Sequence, residues 1–227
     1  MIKLCVFDLD GTTVDTLASI AYFANRILLR EGYLPCPVDA YRTLAGGGAA
    51  KLWANLAEAR HIPPSDAERM KSAWIDEYAE DYMYLARPFD GIVKMLSDLR
   101  AAGIKTAIVT NKHEKIAVRI CGELFGDLLD DLVSDHPGMA LKPDPREIVA
   151  LSEKYGAPGR ETLYCGDHEI DMITGTRAGA ATVGVTWGFH SRERLQAAGA
   201  GFIAEVPDDI TKIARATPHN SRAEIVE

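Results

Sequence analysis

No CxxC pair, internal repeat or low-complexity tract occurs in this chain, and each absence removes a class of protein. The 4 cysteines, Cys5, Cys36, Cys121 and Cys165, stand far apart. That spacing argues against a structural zinc site or a thioredoxin-type dithiol, and it fits a reduced, cytoplasmic setting in which they are small buried apolar groups. Positive charge is short as well: 25 Lys and Arg against 33 Asp and Glu give a formal charge of -8. Most of such a surface repels a nucleic-acid backbone, so no nucleic-acid partner is expected. Long apolar runs are missing too. The stretch after Met1 ends at Asp8, too brief for a signal peptide and far short of the ~20 residues that span a bilayer, so no membrane association is expected.

What is present is a chain of 227 residues, 47% hydrophobic, enough for one large domain or two smaller ones. Short apolar runs at LCVF (4–7), TAIVT (106–110), DLVS (131–134), TLYCG (162–166) and ATVGV (181–185) alternate with helical stretches, and FIAEV (202–206) adds a candidate edge strand. Such runs predict an α/β fold, a doubly wound parallel sheet covered on both faces. About a hundred residues separate the first two runs, and the segment between Thr16 and Arg87 reads as helices. It predicts a small all-helical cap at 17–82 inserted into a core made of 1–16 and 83–227, with TTVDT and MYLARP as hinges. Ser65 and Glu68 predict a capping box after Pro63–Pro64. The polar stretch from Thr217, TPHNSRAEIVE, is expected to be mobile.

The chemistry gathers at the strand ends, where an open parallel sheet places its crevice. Asp8 and Asp10 follow the first strand, Thr110 and Asn111 the second, and Gly166, Asp167 and Asp171 follow TLYCG, with Lys142 in the loop MALKPDP. Carboxylates ~4 Å apart repel by about 4 kcal/mol per pair at an effective dielectric near 20, so a cation belongs among them. All-oxygen ligation without His or Cys suits a hard ion, and Mg²⁺ in particular where a substrate phosphate completes its shell. Thr110, Asn111 and Lys142 supply the donors and the positive charge that phosphoryl oxygens require. Asp8 is then the candidate nucleophile, forming an aspartyl-phosphate, and Asp10 the candidate acid and base, with Gly11 giving the backbone latitude to turn it.

DLDGT (8–12), TN (110–111), KPDP (142–145) and GDHEID (166–171) resemble, in order, the motifs of haloacid dehalogenase superfamily phosphatases. The resemblance spans nearly the whole chain; the stretches 88–112 and 184–210 look like those of phosphoglycolate phosphatase-like members with a helical cap after the first strand. It implies an Asp8 nucleophile, Asp10 as acid/base and main-chain metal ligand, Asp167 as ligand, and Asp171 as ligand or partner through water. It also implies that LAGGGAAK (44–51), with Gly46 and Gly47, orients the substrate. His168 stands where relatives often carry a small hydroxyl residue, and GAG before Phe202 replaces a common acidic residue.

The expected activity is Mg²⁺-dependent hydrolysis of a small phosphorylated metabolite by a monomer or homodimer. Ile20, where related mutases carry a cap histidine, disfavours mutase chemistry, and Asp10 disfavours dehalogenation. Pyrophosphate or a nucleotide as substrate, phosphonoacetaldehyde hydrolysis through a Schiff base on Lys51, and a non-catalytic binding role are the competing readings. Gly46, Gly47 and Gly48 equally suit a plain inter-helix turn. Arg42 and Lys51 suit a solvated surface, His168 an outlying role, and Trp53, Trp74, Tyr78 and Tyr82 a packed helical face.

Overall fold

Leu4, Cys5, Val6 and Phe7 are all fully buried, as a strand flanked by neighbours on both edges and helices on both faces must be. This strand, β1 (Leu4–Phe7), pairs in parallel with β4 (Lys105–His113) on one side and β6 (Thr162–Gly166) on the other. The computed structural model describes residues 1–216; the polar stretch from Thr217 lies outside them. Two short strands, β2 (Val14–Asp15) and β3 (Arg87–Pro88), form an antiparallel ribbon, while β5 (Asp131–Asp135), β7 (Ala181–Val185) and β8 (Phe202–Ala204) complete the main sheet. Its order is β5-β4-β1-β6-β7-β8, and every neighbouring pair is parallel. The chain leaves β1 for one side of the sheet and returns to its other side at β6, so the crevice opens beyond the ends of β1, β4 and β6.

Between β2 and β3 lie only helices: α1 (Leu17–Arg30), α2 (Tyr41–Leu44), α3 (Gly48–Arg60) and α4 (Pro64–Glu80). The core helices are α5 (Ile92–Ala101), α6 (Glu114–Leu124), α7 (Arg146–Lys154), α8 (Glu169–Arg177), α9 (Arg192–Ala197) and α10 (Pro207–Ala216). Leu17, Ile20, Ala21, Ala24, Ile27 and Leu28 give α1 a buried stripe at helical spacing. From α4, Met70, Trp74 and Tyr78 face it four residues apart, and Tyr78 stacks on Phe23 with ring centroids 4.8 Å apart. Trp53, Trp74 and Tyr78 are therefore core residues, and Tyr82 is partly buried against them.

Two local expectations are corrected. The capping box at Ser65 does not form, because α4 begins two residues earlier than that box requires, with Pro64 in its first turn and Pro63 as N-cap. Proline's fixed φ already suits that first position, which leaves Ser65 inside the helix. The second strand also runs on to His113 rather than stopping at Thr110. All 4 cysteines are free and buried. Among the described residues no helix is long and apolar enough to cross a membrane.

Candidate active site

The turn after β1 explains how two carboxylates two residues apart come to do different things. In a continuing strand Asp8 and Asp10 would share a face. Instead the Leu9 carbonyl accepts from the Thr12, Thr13 and Val14 amides, and Gly11 takes φ +80, so the chain reverses at once. A Cβ on Gly11 would also lie 2.3 Å from Asp167 Oδ2, so glycine is required twice over. Asp8 then faces Lys142, whose Nζ lies 2.8 Å from Asp8 Oδ1, while Asp10 Oδ1 accepts from Thr16 Oγ1 at 2.7 Å and from Lys112 Nζ at 2.9 Å.

Asp167 and Asp171 arrive from the end of β6. Thr12 Oγ1 donates to Asp167 Oδ1 at 2.7 Å and the Phe189 amide to Oδ2 at 2.8 Å. Asp171 Oδ1 accepts from Lys142 Nζ and Tyr164 Oη, and Oδ2 accepts from the His168 amide. His168 Nδ1 in turn accepts from the Ile170 amide, closing a capping box at the start of α8. A Cβ on Gly166 would lie 2.3 Å from Asp171, and one on Gly188 2.3 Å from Asp167, so both glycines make room for the carboxylates.

Asp8, Asp167 and Asp171 each present an oxygen within 4.8 Å of the others, all buried. Burial, Lys142 nearby and Asp171's charge act together on Asp8, and burial wins, raising its carboxyl to about 6. Burial first, then Asp171 and Asp8, push Asp167 well above the usual carboxylate range. Lys142 is held above its ordinary value: burial alone would lower it, but Asp171 and Asp8 outweigh that. When all three are ionised, the carboxylates against one ammonium leave an excess of two negative charges, which one divalent cation would balance. The donor set, all oxygen, fits a hard ion. The Asp10 carboxylate pairs with Lys112 and is not part of this cluster.

The phosphoryl-binding candidates divide. Thr110 is 1% exposed and lines the cleft with its hydroxyl accepting from the Lys112 amide. Asn111 also lines it, but its side chain clamps the Lys142 backbone, Oδ1 accepting from the Lys142 amide at 2.8 Å and Nδ2 donating to its carbonyl at 3.2 Å. It positions the lysine. Gly46 and Gly48 line the cleft, whereas Gly47 lies against Lys51, which is exposed and away from it. Gly46 takes φ +99, and a Cβ there would sit 2.4 Å from the His168 ring; one on Gly48 would sit 2.8 Å from the Asn111 carbonyl. At Gly46 and Gly48 the helical segment thus meets the core through backbone, where side chains would not fit. Arg42 is not simply solvated, since it donates to the Gly188 carbonyl at 2.8 Å.

Lys112 and Tyr78 were not legible as site residues. Lys112 is 5% exposed, 2.9 Å from Asp10, 3.2 Å from Tyr78 Oη and 4.4 Å from the Tyr78 ring. Burial would lower its pKa, yet Asp10 and Tyr78 keep the ammonium above its ordinary value. The only signal was a lysine directly after TN at the end of a buried strand. His190 is a second omission. It is buried against His168 at 3.9 Å between ring centroids, and burial, then His190, lowers His168 to about 4, leaving it neutral near pH 7.

Residues 2–179 match the family described as haloacid dehalogenase-like hydrolase. The chain is 31% identical over 189 residues to a phosphoglycolate phosphatase of Agrobacterium fabrum, covering 82% of this chain and 81% of that one. It is 27% identical over 214 residues to an N-acetylmuramic acid 6-phosphate phosphatase of Pseudomonas aeruginosa, covering 93% and 94%. A Haemophilus somnus structure, called a predicted phosphoglycolate phosphatase, superposes with a TM-score of 0.87 at 26% identity, covering 93% of this chain and 97% of that one.

Proposed function

This chain belongs to the haloacid dehalogenase-like hydrolases, and on that premise we propose that it hydrolyses a small phosphomonoester, phosphoglycolate first among candidates, through an aspartyl-phosphate on Asp8. The observation that carries the reading is the convergence of Asp8, Asp167, Asp171 and Lys142 at the ends of β1 and β6.

In this mechanism a substrate's phosphoryl group lies between Asp8, Thr110 and Lys142. The Asp8 oxygen attacks phosphorus in line, the bond from phosphorus to the ester oxygen breaks, and Asp10 gives its proton to the departing oxygen. Asp10, now a carboxylate, takes a proton from water as that water attacks phosphorus, which releases phosphate and restores Asp8. Lys142 stays protonated throughout, because Asp8 and Asp171 hold it so, and it offsets charge on the transferring group. Mg²⁺, held by Asp8, Asp167 and the Asp10 main-chain carbonyl, would neutralise further charge on the phosphoryl oxygens. Asp171, whose two oxygens already accept from Lys142, Tyr164 and the His168 amide, acts behind them, lending charge and orienting Lys142.

Residues 17–82 serve as the cap, hinged at the β2–β3 ribbon, and exclude water from the first step while admitting it for the second. Phosphate release from phosphoglycolate and from p-nitrophenyl phosphate tests the proposal. Turnover with Mg²⁺ that stops in EDTA is expected; equal turnover in EDTA, or none with any phosphomonoester, would contradict it.

A further inference from the structure

The cap side of the cleft is mostly apolar, with Ile20, Ala45, Ala49, Leu52 and Trp74, whose indole N–H has no hydrogen-bond partner among the described residues. Hydroxyls or charge on a leaving group find little there. Among the described residues lining the cleft, Lys112 is the sole lysine or arginine. It is also nearly sealed, 5% exposed, and its charge is answered at present by Asp10.

Catalysis disturbs that arrangement. Asp10 Oδ1 is bonded to Thr16 and Lys112, so turning that oxygen toward a scissile oxygen would cost the Lys112 bond. A buried ammonium left without a carboxylate is costly, so the turn is opposed unless another anion takes Asp10's place. Tyr78 Oη and the Tyr78 ring stay with the lysine, yet neither carries a formal charge. An ammonium has three N–H donors, and Asp10 and Tyr78 account for two polar partners, so a ligand oxygen has a donor to meet.

We infer that Lys112 receives a carboxylate carried by the leaving alcohol, which replaces Asp10 there and frees it for the reaction, so that the site selects phosphomonoesters of short hydroxy acids. The inference rests on the phosphatase reading above. It makes Lys112 a specificity residue that also couples the acid/base group to the correct substrate. The alkyl part of such a substrate lies against the apolar wall.

The test compares 2-phosphoglycolate with 2-hydroxyethyl phosphate, a near match in length that carries a hydroxyl in place of the carboxylate. In the wild-type protein with Mg²⁺, kcat/KM is expected to favour phosphoglycolate by about 100-fold or more. In Lys112→Met that ratio is expected to collapse to within about 5-fold, and in Lys112→Arg a clear preference is expected to return. Glycolate is expected to inhibit p-nitrophenyl phosphate hydrolysis by the wild-type protein where ethylene glycol does not, an arm that needs no variant. A ratio that survives in Lys112→Met, with both substrates slowed alike, would reduce Lys112 to a support for Asp10 and overturn the inference. So would wild-type protein that hydrolyses p-nitrophenyl phosphate yet shows neither the preference nor glycolate inhibition; the phosphatase reading would then stand. Failure to hydrolyse any phosphomonoester would overturn both.

Discussion

Asp10 and Lys112, 102 positions apart in the chain, meet at 2.9 Å in a nearly sealed site, while Asp8, two residues before Asp10, meets Lys142 instead. One tight turn after β1 thus sends two neighbouring carboxylates to two different lysines. The proposed division of labour between nucleophile and acid/base rests on it.

Asp8→Asn is expected to abolish turnover and, in EDTA, to stabilise the fold. Burial raises the Asp8 carboxyl from the ordinary carboxylate range to about 6, so the folded state binds its proton more tightly than the unfolded state does. Its ionisation therefore costs the wild-type fold stability, on the order of 2–3 kcal/mol once pH passes both values. Urea unfolding across pH 4 to 8 checks this. In EDTA the gap between variant and wild type opens as pH rises from the ordinary carboxylate range to about 6, is full above that, and narrows when Mg²⁺ is added, because a cation answers the same charge.

Asn111→Ala removes both bonds that fix the Lys142 backbone and leaves a buried amide and carbonyl unpaired. A stability loss of about 2 kcal/mol is expected. The kinetic effect belongs in kcat, about 10- to 100-fold, with KM moved far less, since Asn111 acts through the lysine rather than by holding substrate. Steady-state kinetics on a phosphomonoester separate the two.

Gly46→Ala places a methyl group 2.4 Å from the His168 ring at a backbone φ of +99. Activity is expected to fall at least about 10-fold, since displacing catalytic groups by ~1 Å has large effects. Pairing it with His168→Ala in a double-mutant cycle is expected to return part of the loss: the collision goes, the strained φ remains. Strict additivity of the two changes would mean the loop does not press on His168 when substrate is bound.

The sheet was legible because β1, β6 and β7 are short, apolar and buried, as is most of the first half of β4, and the helical insertion because its apolar spacing changes period after Thr16. Asp8, Thr110, Asp167 and Asp171 were candidates from their place after strands, and Lys142 from its loop after β5. Partner choice was not legible. Asn111 reads as a donor for phosphoryl oxygens, yet its amide matches the Lys142 backbone, a pairing across 31 positions that no local pattern encodes. No local pattern singles out Lys112, whose partner Tyr78 comes from the inserted helices. Ser65 misled for a local reason, since Pro64 took the first helical position ahead of it.

The most direct measurement is acid quenching of the protein during turnover of phosphoglycolate with Mg²⁺, followed by mass spectrometry of its peptides. A phosphoryl group on Asp8, lost on longer incubation and absent in Asp8→Asn, is the expected result. Steady turnover with no phosphorylated peptide at any quench time, or with the group on another residue, would contradict the assignment of Asp8 as nucleophile.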